Sequence, residues 1–107
     1  DDQSQPVRFW ANKYKTKFNE DPTVFSVYGY TIINTFTNAA NKAGKNLTTD
    51  SFIKVMDTMT IEPDIFGSAK GTFSPTKRLG SDASRLSQIQ NGQWKPISGY
   101  ISGSAVK

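Results

Sequence analysis

The sequence predicts an α/β chain in which three helices are followed by a short strand and a β-hairpin. Three observations carry that reading. Apolar residues recur at spacings of three and four from Val7 to Met59, the period of amphipathic helices. The period is lost after Asp64, where Gly67, Gly71 and Thr72-Phe73-Ser74-Pro75 read as strand and turn. Asn91-Gly92 then separates two short segments, and Asn-Gly is the preferred pair of a type I′ hairpin turn because both positions need positive φ.

Residues 1–5 are polar and expected to fray. Pro6 suits a first helical position, where its missing N–H costs nothing. Val7, Trp10, Ala11, Tyr14 and Phe18 then form one stripe, so the first helix is expected over about 6–18. Asn19-Glu20-Asp21-Pro22 breaks it. The second helix is expected over about 24–43, with Phe25, Tyr28, Ile32, Phe36, Ala39, Ala40 and Ala43 on its apolar stripe. Val24, Val27 and Ile33 widen that stripe, which predicts burial on more than one side. Gly44 reads as a left-handed residue just past the helix end. Thr48 or Thr49 can cap a third helix over about 49–59, with Asp50 in its first turn and Phe52, Ile53, Val55, Met56 and Met59 on its apolar face.

The strand is expected at about 70–74 and the hairpin at about 85–97. A two-residue turn sets Gln90 opposite Gln93, Ile89 opposite Trp94 and Leu86 opposite Ile97, which puts Ile89 and Trp94 on one face. Residues 98–107, with three Ser and two Gly, read as a flexible tail.

Composition bounds the function. The 107 residues fit one ordinary domain, and 12% aromatics argue against disorder. A formal charge of +4 is a mild basic bias, short of the one-sided charge of a dedicated nucleic-acid binder. With no Cys and no His, disulfides, thiolate or imidazole metal sites, thiol nucleophiles and Ser-His-Asp triads are excluded within these residues. No apolar run approaches the ~18 residues of a membrane span. Asp1-Asp2-Gln3 shows neither a basic nor an apolar leader region, so any targeting segment is removed or lies outside the sequence.

One feature of the pattern is unusual. Three helices, one apolar on several sides, face only a few short strands, although such helices ordinarily lie on a larger parallel sheet. No run of buried Val/Ile/Leu strands is present to make one. The expectation is that the sheet belongs to another part of a longer polypeptide or to a second copy.

The ordered set Phe9-Trp10, Tyr14-Lys15-Thr16-Lys17-Phe18, Asp21-Pro22, Ser26-Val27-Tyr28-Gly29-Tyr30-Thr31 and Ala39-Ala40-Asn41-Lys42-Ala43-Gly44 resembles the C-terminal part of type I periplasmic solute-binding proteins. The nearest group is the branched-chain amino-acid-type receptors of ABC importers. The likeness continues through Leu47-Thr48, Ser51 to Met56, Gly71 to Pro75 and Gln88 to Trp94, so it covers roughly residues 7–97. It implies a fragment of a two-lobed fold whose lobes close on a ligand, with these helices roofing the sheet of one lobe. It implies no catalysis and no cofactor, a small solute (an amino acid or a small organic or aromatic acid), the periplasm, and docking to the membrane subunits of an ABC importer. Loss of the sheet would also favour self-association.

The resemblance places Phe25, with Tyr28 next, on the ligand side of the cleft. Aromatics at a helix N-terminus beside a cleft can cover an apolar or aromatic solute. The competing reading is that both rings are core residues of an amphipathic stripe. Asp50, Asp57, Glu62 and Asp64 lack the alternation and glycine of a calcium loop, and read as solvated surface charge rather than an acid/base pair. Lys70, Lys77, Arg78, Arg85 and Lys95 form a loose basic cluster near Phe73 and Trp94. That cluster supports the alternative of a self-sufficient small α+β domain binding an anionic partner such as nucleic acid. A solvated face is the favoured reading, with no nucleic-acid partner.

Overall fold

The structure, a computed structural model, describes residues 4–105; of residues 1–5, expected to fray, 1–3 fall outside it and Gln5 instead opens a helix, and the end of the expected tail, residues 106–107, also falls outside it. Three helices come first: α1 (Gln5–Phe18), α2 (Val24–Ala43) and α3 (Thr49–Met56). Six short strands follow: β1 (Thr60–Ile61), β2 (Gly71–Thr72), β3 (Ala83–Ser84), β4 (Ser87–Gln90), β5 (Gln93–Pro96) and β6 (Ile101–Ser102). A single 3₁₀ turn at Gly103–Ala105 ends the described chain.

Local chemistry sets each helix end. Pro6 lies in the first turn of α1, and Lys15 and Lys17 in its last turn, where the helix dipole favours cations. Asn19 stops α1 in the left-handed region at φ 54°, its N–H bonded to the Lys15 carbonyl. At the start of α2 the Thr23 N–H donates to Ser26 Oγ at 3.1 Å. Gly44, at φ 75°, closes the other end with its N–H on the Ala40 carbonyl. In α3 the cap is reciprocal: the Ser51 N–H donates to Thr48 Oγ1 at 3.1 Å, and the Thr48 N–H to Ser51 Oγ at 2.8 Å.

The strands form three separate antiparallel pairs, β1 with β2, β3 with β6, and β4 with β5, and no larger sheet among the described residues. In the hairpin β4–β5, Ile89 stands opposite Trp94 and Gln90 opposite Gln93. Asn91 and Gly92 carry φ of 53° and 76°, as a type I′ turn requires. The pairing extends by one bond, from the Ile97 N–H to the Leu86 carbonyl at 2.9 Å.

The third helix, the expected tail and the unexpected strands β1 and β3 differ from the sequence-based expectation. The third helix ends at Met56, three residues short of Met59. Asp57 caps it, and the Thr58 hydroxyl bonds back to the Lys54 and Val55 carbonyls at 3.1 and 3.2 Å. Met59 is buried, so it kept the apolar period from the turn rather than from a helical face. The segment read as a tail supplies β6, which pairs Ile101 with Ser84 and Ser102 with Ala83.

Side chains tie the elements together. Trp10 of α1, Tyr30 of α2 and Phe66 meet edge to face, with Trp10–Phe66 centroids 4.9 Å apart and Tyr30–Phe66 centroids 5.6 Å apart. Phe36 of α2 meets Phe52 of α3 at 5.1 Å. Lys77 Nζ donates to the Thr72 and Gly80 carbonyls at 2.7 and 3.2 Å, knotting the loop that follows β2.

These contacts make a layer rather than a globule. Among the described residues only Ala39 and Met59 are buried apolar side chains, at 0% and 8% exposure. The chain measures 48 × 45 × 19 Å. Its radius of gyration is 16.4 Å, against about 13 Å for a compact domain of this length. Its surface is 8315 Å², against about 5,900 Å² for a compact monomer of this mass.

Candidate functional site

The α2 helix positions the two rings that the sequence singles out. Phe25 and Tyr28 lie three residues apart in its first two turns, on one face. Their centroids are 6.0 Å apart at an interplanar angle of 82°, an edge-to-face pair. Phe25 is 77% exposed and Tyr28 57%, so neither ring sits in a core within these residues. Ile32 and Phe36 continue the same line toward the C-terminal end of α2 and are also exposed.

Below the rings this line borders an open apolar groove of about 530 Å³. Tyr28, Ile32 and Phe36 form one side, Phe52 and Met56 of α3 the other, and Phe73 and Ile61 close the end. No charged residue lines it; the polar groups are the hydroxyls of Thr31, Thr35 and Tyr28. A groove of that size can take a small organic body but offers no group to hold a charged end. Phe25 stands beyond its edge. The sequence reading missed Ile61 and Phe73, because both come from turn-rich stretches with no periodic signal.

On the neighbouring face of α2, the Thr31 hydroxyl donates to Asp64 Oδ2 at 2.8 Å. The Phe66 N–H donates to Asp64 Oδ1 at 2.9 Å. Burial alone would raise the Asp64 carboxyl. The hydroxyls of Ser68 and Thr31 and the N–H groups of Phe66 and Ser68 outweigh that effect and hold it below its ordinary value. Asp64 is therefore a fastener between α2 and the loop after β1, which also places Phe66 in the aromatic cluster.

Two of the other acidic candidates are likewise engaged, while Asp50 lies in the first turn of α3. Asp57 Oδ1 takes Arg78 Nη1 at 2.6 Å, and Glu62 pairs with Lys70 at 3.5 Å. Among the described residues no group of Asp and Glu is arranged to hold a metal ion. Four of the five basic side chains make internal contacts, Lys77 on carbonyls, Arg78 on Asp57, Lys70 on Glu62 and Arg85 over the Tyr100 ring at 5.2 Å, while Lys95 is exposed on β5. Among the described residues no helix is long and apolar enough to cross a membrane.

Comparison with known families finds a match to the family described as periplasmic binding protein, over residues 1–93. No curated protein and no solved structure matches the chain.

Proposed function

Because the chain belongs to the periplasmic binding protein family, we propose that it is the C-terminal portion of a periplasmic receptor that binds a small solute and performs no catalysis. The solute is an amino acid or a small organic or aromatic acid, released to the membrane subunits of an ABC importer. Phe25 and Tyr28 cover the apolar part of the solute from the N-terminal end of α2.

The observation that carries this reading is the exposed edge-to-face pair of Phe25 and Tyr28. Two large rings that stay in water cost hydrophobic free energy unless something covers them. Capture would follow hinge closure of a second wall over the rings.

Calorimetry on the full natural polypeptide, titrated with a panel of amino acids and aromatic acids, tests the proposal. Phe25→Ala and Tyr28→Ala are expected to weaken solute binding about tenfold or more while the melting temperature stays within about 2 °C. A lowered melting temperature with unchanged affinity would return both rings to a packing role. The anionic-partner alternative has less support, since Lys70, Lys77, Arg78 and Arg85 each hold an internal contact.

A further inference from the structure

We propose that Asn91 is a self-modifying residue: the Gly92 nitrogen attacks the Asn91 side-chain amide, and the hairpin turn converts through a cyclic imide into aspartate and isoaspartate. Asn91-Gly92 is the only Asn-Gly pair in the sequence. Asn12, Asn34, Asn38 and Asn41 lie within α1 and α2, where the next N–H is held in the helical ladder. Asn19 and Asn46 precede Glu20 and Leu47, whose side chains crowd the attacking nitrogen. The Gly92 N–H, by contrast, enters no hydrogen bond among the described residues, and both turn residues are exposed. Beyond its chain neighbours, no atom lies within 4 Å of the position a Gly92 Cβ would take, so the approach is open.

The turn already holds half of the geometry the ring needs. A five-membered ring through Asn91 Cα, Cβ and Cγ and the Gly92 nitrogen eclipses Cβ with that nitrogen. For an L-residue this means ψ of about −120°, the value of the first central residue of a type II′ turn. Such a residue has φ of about 60°, and Asn91 stands at 53°. One flip of the Asn91–Gly92 peptide therefore takes the type I′ turn to the ring-closing shape while both strands stay paired, since type II′ also closes two-residue hairpins. Gly92 makes the flip easy, because its φ passes from positive to negative.

The reaction balances with water alone. A bond forms between the Gly92 nitrogen and Asn91 Cγ, the Cγ–Nδ2 bond breaks, and the nitrogen's proton leaves with the amide as ammonia. Water then opens the imide at either carbonyl. Opening at Cγ gives an aspartate on an unchanged main chain, which still suits the turn, as Asp-Gly does. Opening at the main-chain carbonyl gives an isoaspartate whose main chain runs through Cγ and is longer by one carbon. That lengthens the two-residue loop that sets Ile89 opposite Trp94, and so releases the hairpin.

Peptide mapping by mass spectrometry of the full natural polypeptide, aged in warm buffer, tests the proposal. Asn91 should convert ahead of every other asparagine, with isoaspartate as well as aspartate in the product. The rate should rise about tenfold per pH unit above neutrality, because hydroxide frees the Gly92 nitrogen. It should stay within about tenfold of the rate in a free peptide of residues 88–95, since the folded turn needs only a local flip. Asn91→Gly keeps a pair that type I′ accepts and has no side-chain carbonyl to attack, so its aged hairpin should keep its amide protection at Gln90 and Gln93. Conversion more than about tenfold slower than in the peptide overturns the proposal. So does aspartate without isoaspartate, or an Asn91→Gly hairpin that loosens on the same schedule as the wild type.

Discussion

Thr31 and Asp64, thirty-three residues apart in sequence, share a 2.8 Å hydrogen bond that fastens α2 to the loop after β1. The same carboxylate receives the Phe66 N–H, so one acidic side chain fixes both the helix and the ring that packs on Trp10 and Tyr30.

That arrangement predicts a pH dependence. The folded state holds the Asp64 carboxyl below its ordinary value. Its stabilisation is fully present above the unfolded value of about 3.9 and is lost as the pH falls through the lower folded one. Thermal melts from pH 7 downward should show the wild type weakening below about pH 4. Asp64→Asn should start about 1 kcal/mol lower and lose less over that acid window. An equally steep acid loss in the variant would assign the dependence to other carboxylates.

The reciprocal cap of α3 makes a second expectation. Thr48→Ala removes the acceptor of the Ser51 N–H and should cost about 1 kcal/mol. An eight-residue helix has little propagation energy to spare, so the loss should appear as reduced helicity in circular dichroism. Phe52 would then loosen from Phe36.

At the hairpin turn, Gly92 stands at φ 76° with open space around the position a Cβ would take. Gly92→Ala should therefore cost about 1 kcal/mol through backbone strain alone. Because β4 and β5 are exposed along their length, the damage should stay local. Amide exchange should quicken at Gln90 and Gln93 and hold steady in α2. A global fall in protection would show that the hairpin supports the helices.

The Asp57–Arg78 pair supplies a fourth test. The Asp57 side chain is 14% exposed and Arg78 61%, so the charge hidden from water is the acidic one. Arg78→Ala strands that carboxylate and should destabilise more than the double variant with Asp57→Ala. Urea midpoints of the four proteins in a double-mutant cycle measure the coupling, expected at about 1 kcal/mol.

Legibility in the sequence followed the range of the interactions. The helices announce themselves because their apolar stripes and end residues are local, as Asn19, Gly44 and Thr48 illustrate. The Asn91-Gly92 turn is equally local. β1, β3 and β6 are two residues each and exist through partners up to nineteen residues away, as in Ser102 against Ala83 or Ile101 against Ser84, so no window of sequence contains their cause. Phe25 and Tyr28 were legible as aromatics at a helix start. Their mutual edge-to-face geometry, and the groove completed by Phe73 and Ile61, depend on tertiary placement.

A molecule only 19 Å through has almost no interior to hydrate when it melts. The heat capacity released on unfolding scales with apolar surface uncovered, and for 107 residues about 1.3–1.6 kcal/mol/K would be ordinary. Scanning calorimetry on the dilute chain should find well under that value. Its stability would then change gently with temperature, without pronounced weakening in the cold.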